Sequence, residues 1–137
     1  MPNIAMSPAS SLSAESLRPN GLHQTIDFFG CDLGQTELPE FWSKLLREAL
    51  AATQLTILHE RLHSFTPQGL TGIFLLSTSH FSFHTWPEHG YVACDLFSCG
   101  DEAEGRGVID RLRARVRHER CVLNAIHRGY RFGTLPT

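Results

Sequence analysis

No stretch of this chain is apolar for long enough to cross a bilayer, and no apolar core of a signal peptide is present. Positive charge is not in surplus: 12 lysines and arginines face 14 aspartates and glutamates, a net charge of −2 with the eight histidines neutral. A phosphate backbone would find no basic field here, which argues against a nucleic-acid binder. The cysteines at positions 31, 94, 99 and 121 form no CxxC pair of the kind that seats zinc or runs dithiol chemistry. These absences point to a protein of the reducing cytoplasm that handles a small molecule, with neither nucleic acid nor membrane as partner. What is present suffices for folding: 137 residues, 42% hydrophobic and 19% charged, can bury one core without a disulfide or metal staple.

Residues 1–20 are rich in Ser, Pro and Ala without periodicity, so a poorly ordered tail is expected ahead of a single domain over 21–137. Alternation predicts a strand over 22–29. Thr36 can cap a helix starting near Glu37, with Pro39 tolerated in its first turn. Leu38, Phe41, Trp42, Leu45, Leu46, Ala49 and Leu50 recur there at helical spacing and read as a core stripe. Further strands are predicted over 55–63, 70–77, 80–86 and 91–98, punctuated by Pro67-Gln68-Gly69 and Pro87-Glu88-His89-Gly90. A second helix fits 107–118, with Val108, Ile109, Leu112 and Val116 inward and its arginines toward solvent, and a last strand fits 120–127. The order βαββββαβ, with four successive strands and no long crossover, predicts a mainly antiparallel sheet with both helices on one face. That is a two-layer α/β sandwich of the α+β type.

The most informative stretch is Ser77-Thr78-Ser79-His80-Phe81-Ser82-Phe83-His84-Thr85-Trp86-Pro87-Glu88-His89-Gly90-Tyr91, followed by Asp95-Leu96-Phe97-Ser98-Cys99-Gly100. It closely resembles the signature of the bacterial and archaeal S-adenosylmethionine decarboxylase proenzymes. The resemblance runs from His23 through Asp27, Cys31 and Asp32, across Phe65 and Gly72, to Arg128-Gly129-Tyr130. It implies a chain that cuts itself between Thr78 and Ser79 and converts Ser79 into a covalent pyruvoyl cofactor, with no metal. The chemistry suits the residue: a serine hydroxyl can attack the preceding carbonyl, the resulting ester can eliminate, and the dehydroalanine left behind hydrolyses to a ketone. Such a ketone condenses with a substrate amine and takes up electrons as a carboxylate leaves.

The same resemblance assigns His84 as proton donor and acceptor in self-cleavage, Thr71 as an assisting hydroxyl, and Cys99 as proton donor in decarboxylation. It implies that Phe65 stacks on adenine, that Glu88 binds the ribose hydroxyls, and that processed protomers form a homodimer producing decarboxylated S-adenosylmethionine for spermidine synthesis. Taken singly, His84 reads as a strand histidine and Cys99 as a small apolar group. Two positions depart from the family pattern: Thr78 stands where a glutamate is usual, and Thr71 where a serine is usual. They keep open a decarboxylase of ornithine or arginine, and a silent paralogue that regulates an active partner.

Strand parity puts His80, Ser82 and His84 on one face and Phe81 and Phe83 on the other with Ser79, so Ser79 and His84 do not meet by simple alternation. His59-Glu60-Arg61-Leu62-His63 is a literal HExxH, which on a helix would suggest a zinc hydrolase. Its setting is strand-like, where histidines four residues apart lie about 13 Å from each other.

Overall fold

The computed structural model describes residues 19–130. Six strands and three helices follow in the order β1 (Pro19–Phe29), α1 (Leu33–Thr36), α2 (Pro39–Leu50), β2 (Ile57–Ser64), β3 (Leu70–Leu76), β4 (His80–Trp86), β5 (Tyr91–Cys99), α3 (Glu102–Arg115) and β6 (Arg120–Tyr130). A 3-10 turn, Pro87–His89, joins β4 to β5. The strands form one antiparallel sheet in the order β2-β3-β4-β5-β1-β6, as the run of short connections predicts. β1 already begins at Pro19, and the remainder of the expected tail lies outside the described residues.

Helix boundaries depart from the sequence reading at the start of α2 and at both ends of α3, which stops at Arg115, three residues short of its predicted end. Thr36 closes the short α1 instead of capping α2, its hydroxyl bonded back to the Asp32 carbonyl at 3.3 Å. Leu38 then occupies the N-cap of α2 and is half exposed, so it leaves the predicted core stripe. α3 begins at Glu102, five residues before its predicted start, because Asp101 caps it by accepting from the Ala103 N–H at 2.9 Å. The helix runs through Gly105, whose missing Cβ lets it approach the Ser98 side chain on β5. Among the α3 arginines, Arg111 turns inward and donates to the Ala49 carbonyl at 3.0 Å, tying α3 to the end of α2.

Alternation along each strand sends one set of side chains toward the helices. Ile26, Phe28, Phe74, Phe81, Phe83 and Leu96 have no exposed surface, and Trp42, Leu46, Val108 and Leu112 meet them from α2 and α3. Trp42 stacks on Phe83 at 4.0 Å between ring centroids and donates its indole N–H to Thr36 at 2.8 Å. Gly72, opposite Phe83 in the register, leaves that ring its space. Among the described residues, no helix covers the other face of the sheet. There Ile73 and Leu75 on β3 and Ile126 on β6 are each at least 50% exposed, beside Trp86 and Val122. Thr71, His80, Ser82, His84 and Asp95 lie on this uncovered face.

Candidate active site

β3 and β4 are joined by Ser77, Thr78 and Ser79, with Ser77-Thr78 forming the tip enclosed by the Leu76–Ser79 pair. The Leu76 N–H donates to the Ser79 carbonyl at 2.9 Å, and the Ser79 N–H reaches back to Leu76 at 3.5 Å. Ser77 is anchored to Thr56, donating its N–H at 2.9 Å and accepting one on its hydroxyl at 3.3 Å. The Thr78–Ser79 peptide therefore leaves a tight hairpin at a fixed place. Ser79 Oγ is buried and has no hydrogen-bond partner among the described residues. A buried hydroxyl without a partner costs about 1–3 kcal/mol, and here it leaves the oxygen uncommitted.

Continuing the β4–β5 register one and two residues past His80–Phe97 sets Ser79 opposite Ser98 and Thr78 opposite Cys99. Thr78 and Cys99 indeed line one cavity of about 570 Å³, with Ser77, Gly100, Asp101 and Arg111. Cys99 is a free, half-buried thiol there. Cys31 and Cys94 differ from it in being packed against the core, where burial pushes the first thiol up to about 11 and the second well above its ordinary value.

Thr71 and His84 face each other across β3 and β4 on the uncovered face, the threonine hydroxyl 2.9 Å from His84 Nδ1. Phe65 and Glu88 lie at the same end of the hairpin, in the loops that precede β3 and follow β4. Gln68 ties these loops by donating to Glu88 at 3.3 Å, and Phe65, half exposed, packs edge-on against His63. The residues singled out from the sequence thus fall into two groups: Ser79, Thr78 and Cys99 at one end of the β3–β4 hairpin, and Thr71, His84, Phe65 and Glu88 at the other. His84 lies five positions along the strand from Ser79, about 16 Å away. Ser79 and His84 are not brought together within one chain.

A third group was not singled out from the sequence. Asp95, on β5, accepts from His23 Nε2 at 2.7 Å, from His80 Nε2 at 3.1 Å, and from the Ser82 hydroxyl. Burial raises the Asp95 carboxyl, but these three hydrogen bonds and the charge at His80 outweigh it and hold the group below its ordinary value. Among the described residues only His23, His80 and Asp95 lie close enough to share a metal ion, their ligand atoms within 4.8 Å of one another. A carboxylate between two imidazole N–H groups is already satisfied without one. The alternating strand pattern marks these side chains as sharing a face, but only the β1–β5–β4 register brings them together. The HExxH match lies on β2, where His59 and His63 face away from the helices while Glu60 turns toward α2 and binds Arg47 at 2.7 Å. That geometry supplies neither a shared metal position nor a base beside one.

A family model described as S-adenosylmethionine decarboxylase matches residues 22–129. The S-adenosylmethionine decarboxylase proenzyme of Clostridium botulinum (strain Loch Maree) is 33% identical over 82% of this chain and 97% of its own. That of Methanococcus maripaludis is 35% identical over 80% and 89%. A crystal structure of the adenosylmethionine decarboxylase from Aquifex aeolicus superposes with a TM-score of 0.77 at 30% identity, covering 88% of this chain and 99% of the other. With most of its described length matched in both sequence and fold, the chain belongs to the S-adenosylmethionine decarboxylase family.

Proposed function

We propose that the chain is a self-cleaving proenzyme whose processed form decarboxylates S-adenosylmethionine, supplying the decarboxylated product for spermidine synthesis in the cytoplasm. The observation that carries the reading is the Thr71–His84 pair at 2.9 Å, in a chain whose Ser79 hydroxyl is buried and uncommitted. Ser79 Oγ attacks the Thr78 carbonyl carbon, the Thr78–Ser79 C–N bond breaks, and an ester links the two residues. Loss of the Ser79 α-proton breaks its Cβ–O bond and releases Thr78 as a carboxylate. The dehydroalanine at 79 then takes up water and loses ammonia, leaving the pyruvoyl group. His84, oriented by the Thr71 hydroxyl, is the base and acid for these transfers.

The residues at the hairpin fit such a group: the hydroxyl that becomes its precursor has no competing bond, and the cavity beside Thr78 and Cys99 has small-molecule size. Once formed, the ketone supplies an electron sink for the pair released when the substrate carboxylate leaves as CO2. Cys99 holds a thiol proton at the same end of the sheet for the substrate carbon from which CO2 has left. Phe65 offers a face for adenine, and Glu88 an acceptor for ribose hydroxyls.

Because the two groups lie at opposite ends of one hairpin, we assign the working site to a homodimer. A second copy on the uncovered sheet face would bring Thr71, His84, Phe65 and Glu88 of one chain to Ser79 and Cys99 of the other. The exposed apolar side chains Ile73, Leu75, Trp86, Val122 and Ile126 suit that contact.

Intact mass under denaturing conditions tests the reading. Fragments of residues 1–78 and 79–137 are expected, the second starting with pyruvate, whereas Ser79→Ala should remain one chain because alanine has no oxygen to attack Thr78. An uncut wild-type chain would favour a silent paralogue. CO2 release from the processed protein should be far faster with S-adenosylmethionine than with ornithine or arginine, and the reverse would overturn the substrate while leaving the cofactor chemistry in place.

A further inference from the structure

Asp95 takes more hydrogen bonds than a strand carboxylate needs, and the far side of its network is also fixed. Arg128 Nη1 lies 3.3 Å from His23 Nδ1. A guanidinium can only donate, so Nδ1 accepts and the His23 ring carries its proton on Nε2, facing Asp95. The rings of His23 and His80 both pack on Phe97, at 5.6 and 6.0 Å between centroids, and Arg128 covers the same ring at 5.0 Å. The network therefore runs from β6 and β1 through Asp95 to His80, the residue that follows Ser79.

That position matters once the chain is cut. In the uncut hairpin, residue 79 is restrained by its peptide to Thr78, by the Leu76 N–H on its carbonyl at 2.9 Å, and by its own N–H to Leu76 at 3.5 Å. Cleavage removes the peptide, and the loss of ammonia removes the nitrogen. What remains is one ladder bond and the amide to His80. Chain ends held so lightly fray, yet a reacting ketone displaced by about 1 Å can lose on the order of 100-fold in rate. We propose that Asp95, backed by His23, is a positioning residue that holds the cofactor-bearing end of β4 through the His80 ring after cleavage. The inference rests on the pyruvoyl reading above. Before the cut, the covalent hairpin supplies the same restraint, so the network is dispensable for processing.

The test compares Asp95→Asn in the cut protein with the same change in the uncut Ser79→Ala background. Cleavage should stay within about twofold of the parent, while kcat falls about 10- to 100-fold with KM changed by less than about threefold. Amide hydrogen exchange over residues 80–83 should accelerate in cut Asp95→Asn and stay unchanged in the uncut double variant. Equal acceleration in both backgrounds would make Asp95 a general brace of the sheet and overturn the proposal, as would an unchanged kcat. Should Asp95→Asn fail to fold, His80→Ala removes the tether while leaving Asp95 its bonds to His23 and Ser82, and the same cut-only exchange and kcat loss are expected. A wild-type chain that is never cut overturns the pyruvoyl reading and the anchor together. A cut wild type with indifferent variants overturns the anchor alone.

Discussion

Thr71 carries one methyl group more than a serine, and on a strand that branch restricts χ1. The hydroxyl is thereby biased toward one orientation, the one that sets it 2.9 Å from His84 Nδ1. Thr71→Ser should process at nearly the parent rate. Thr71→Val, which keeps the shape and removes the oxygen, should slow cleavage by about 10- to 100-fold in a time course followed by denaturing mass analysis. Cys99→Ala should be cut normally and lose turnover by at least about 100-fold, since its thiol is assigned to substrate protonation; a failure to cleave would move Cys99 into processing. Ser79, His84 and Cys99 were legible as candidates in the sequence because the resemblance rests on the stretch from Ser77 to Gly100 that holds all three. The His23–Asp95–His80 group was not, since it joins three strands whose register is fixed by the sheet and by no local signal.

Element by element, the strands were easier to read than the helix ends. β4 matches its predicted span because alternation of Phe81, Phe83 and Thr85 with His80, Ser82 and His84 records which side meets the core. The sequence reading starts α3 at Gly107, whereas a capping Asp101 starts it at Glu102 and a close approach to Ser98 makes glycine useful at 105. The α2 stripe held from Trp42 to Leu50, and its contacts with Phe81 and Phe83 fix the strand that bears the cleavage site. Leu46 has no exposed surface. Leu46→Ala should lower stability by about 2–5 kcal/mol, measured by urea unfolding in the uncut Ser79→Ala chain so that one covalent molecule is compared with another.

For the whole molecule, the proposed sharing of the site between two subunits makes a strong demand. Co-expressing His84→Ala with Ser79→Ala should restore cutting of the His84→Ala chain alone, because a mixed dimer has one site with an intact serine from one subunit and an intact histidine from the other. Absence of any cut product would place both functions within one chain. The strand order β2-β3-β4-β5-β1-β6 has a further effect. The proposed cleavage at Thr78–Ser79 would give β1, β2 and β3 to one fragment and β4, β5 and β6 to the other, so ownership would change three times across the sheet. The ladders β3–β4, β1–β5 and β1–β6 all join different fragments. An uncut chain refolds by a search within itself, at a rate independent of dilution. A cut one must first find its other half, so its refolding becomes second order and its apparent stability falls as it is diluted.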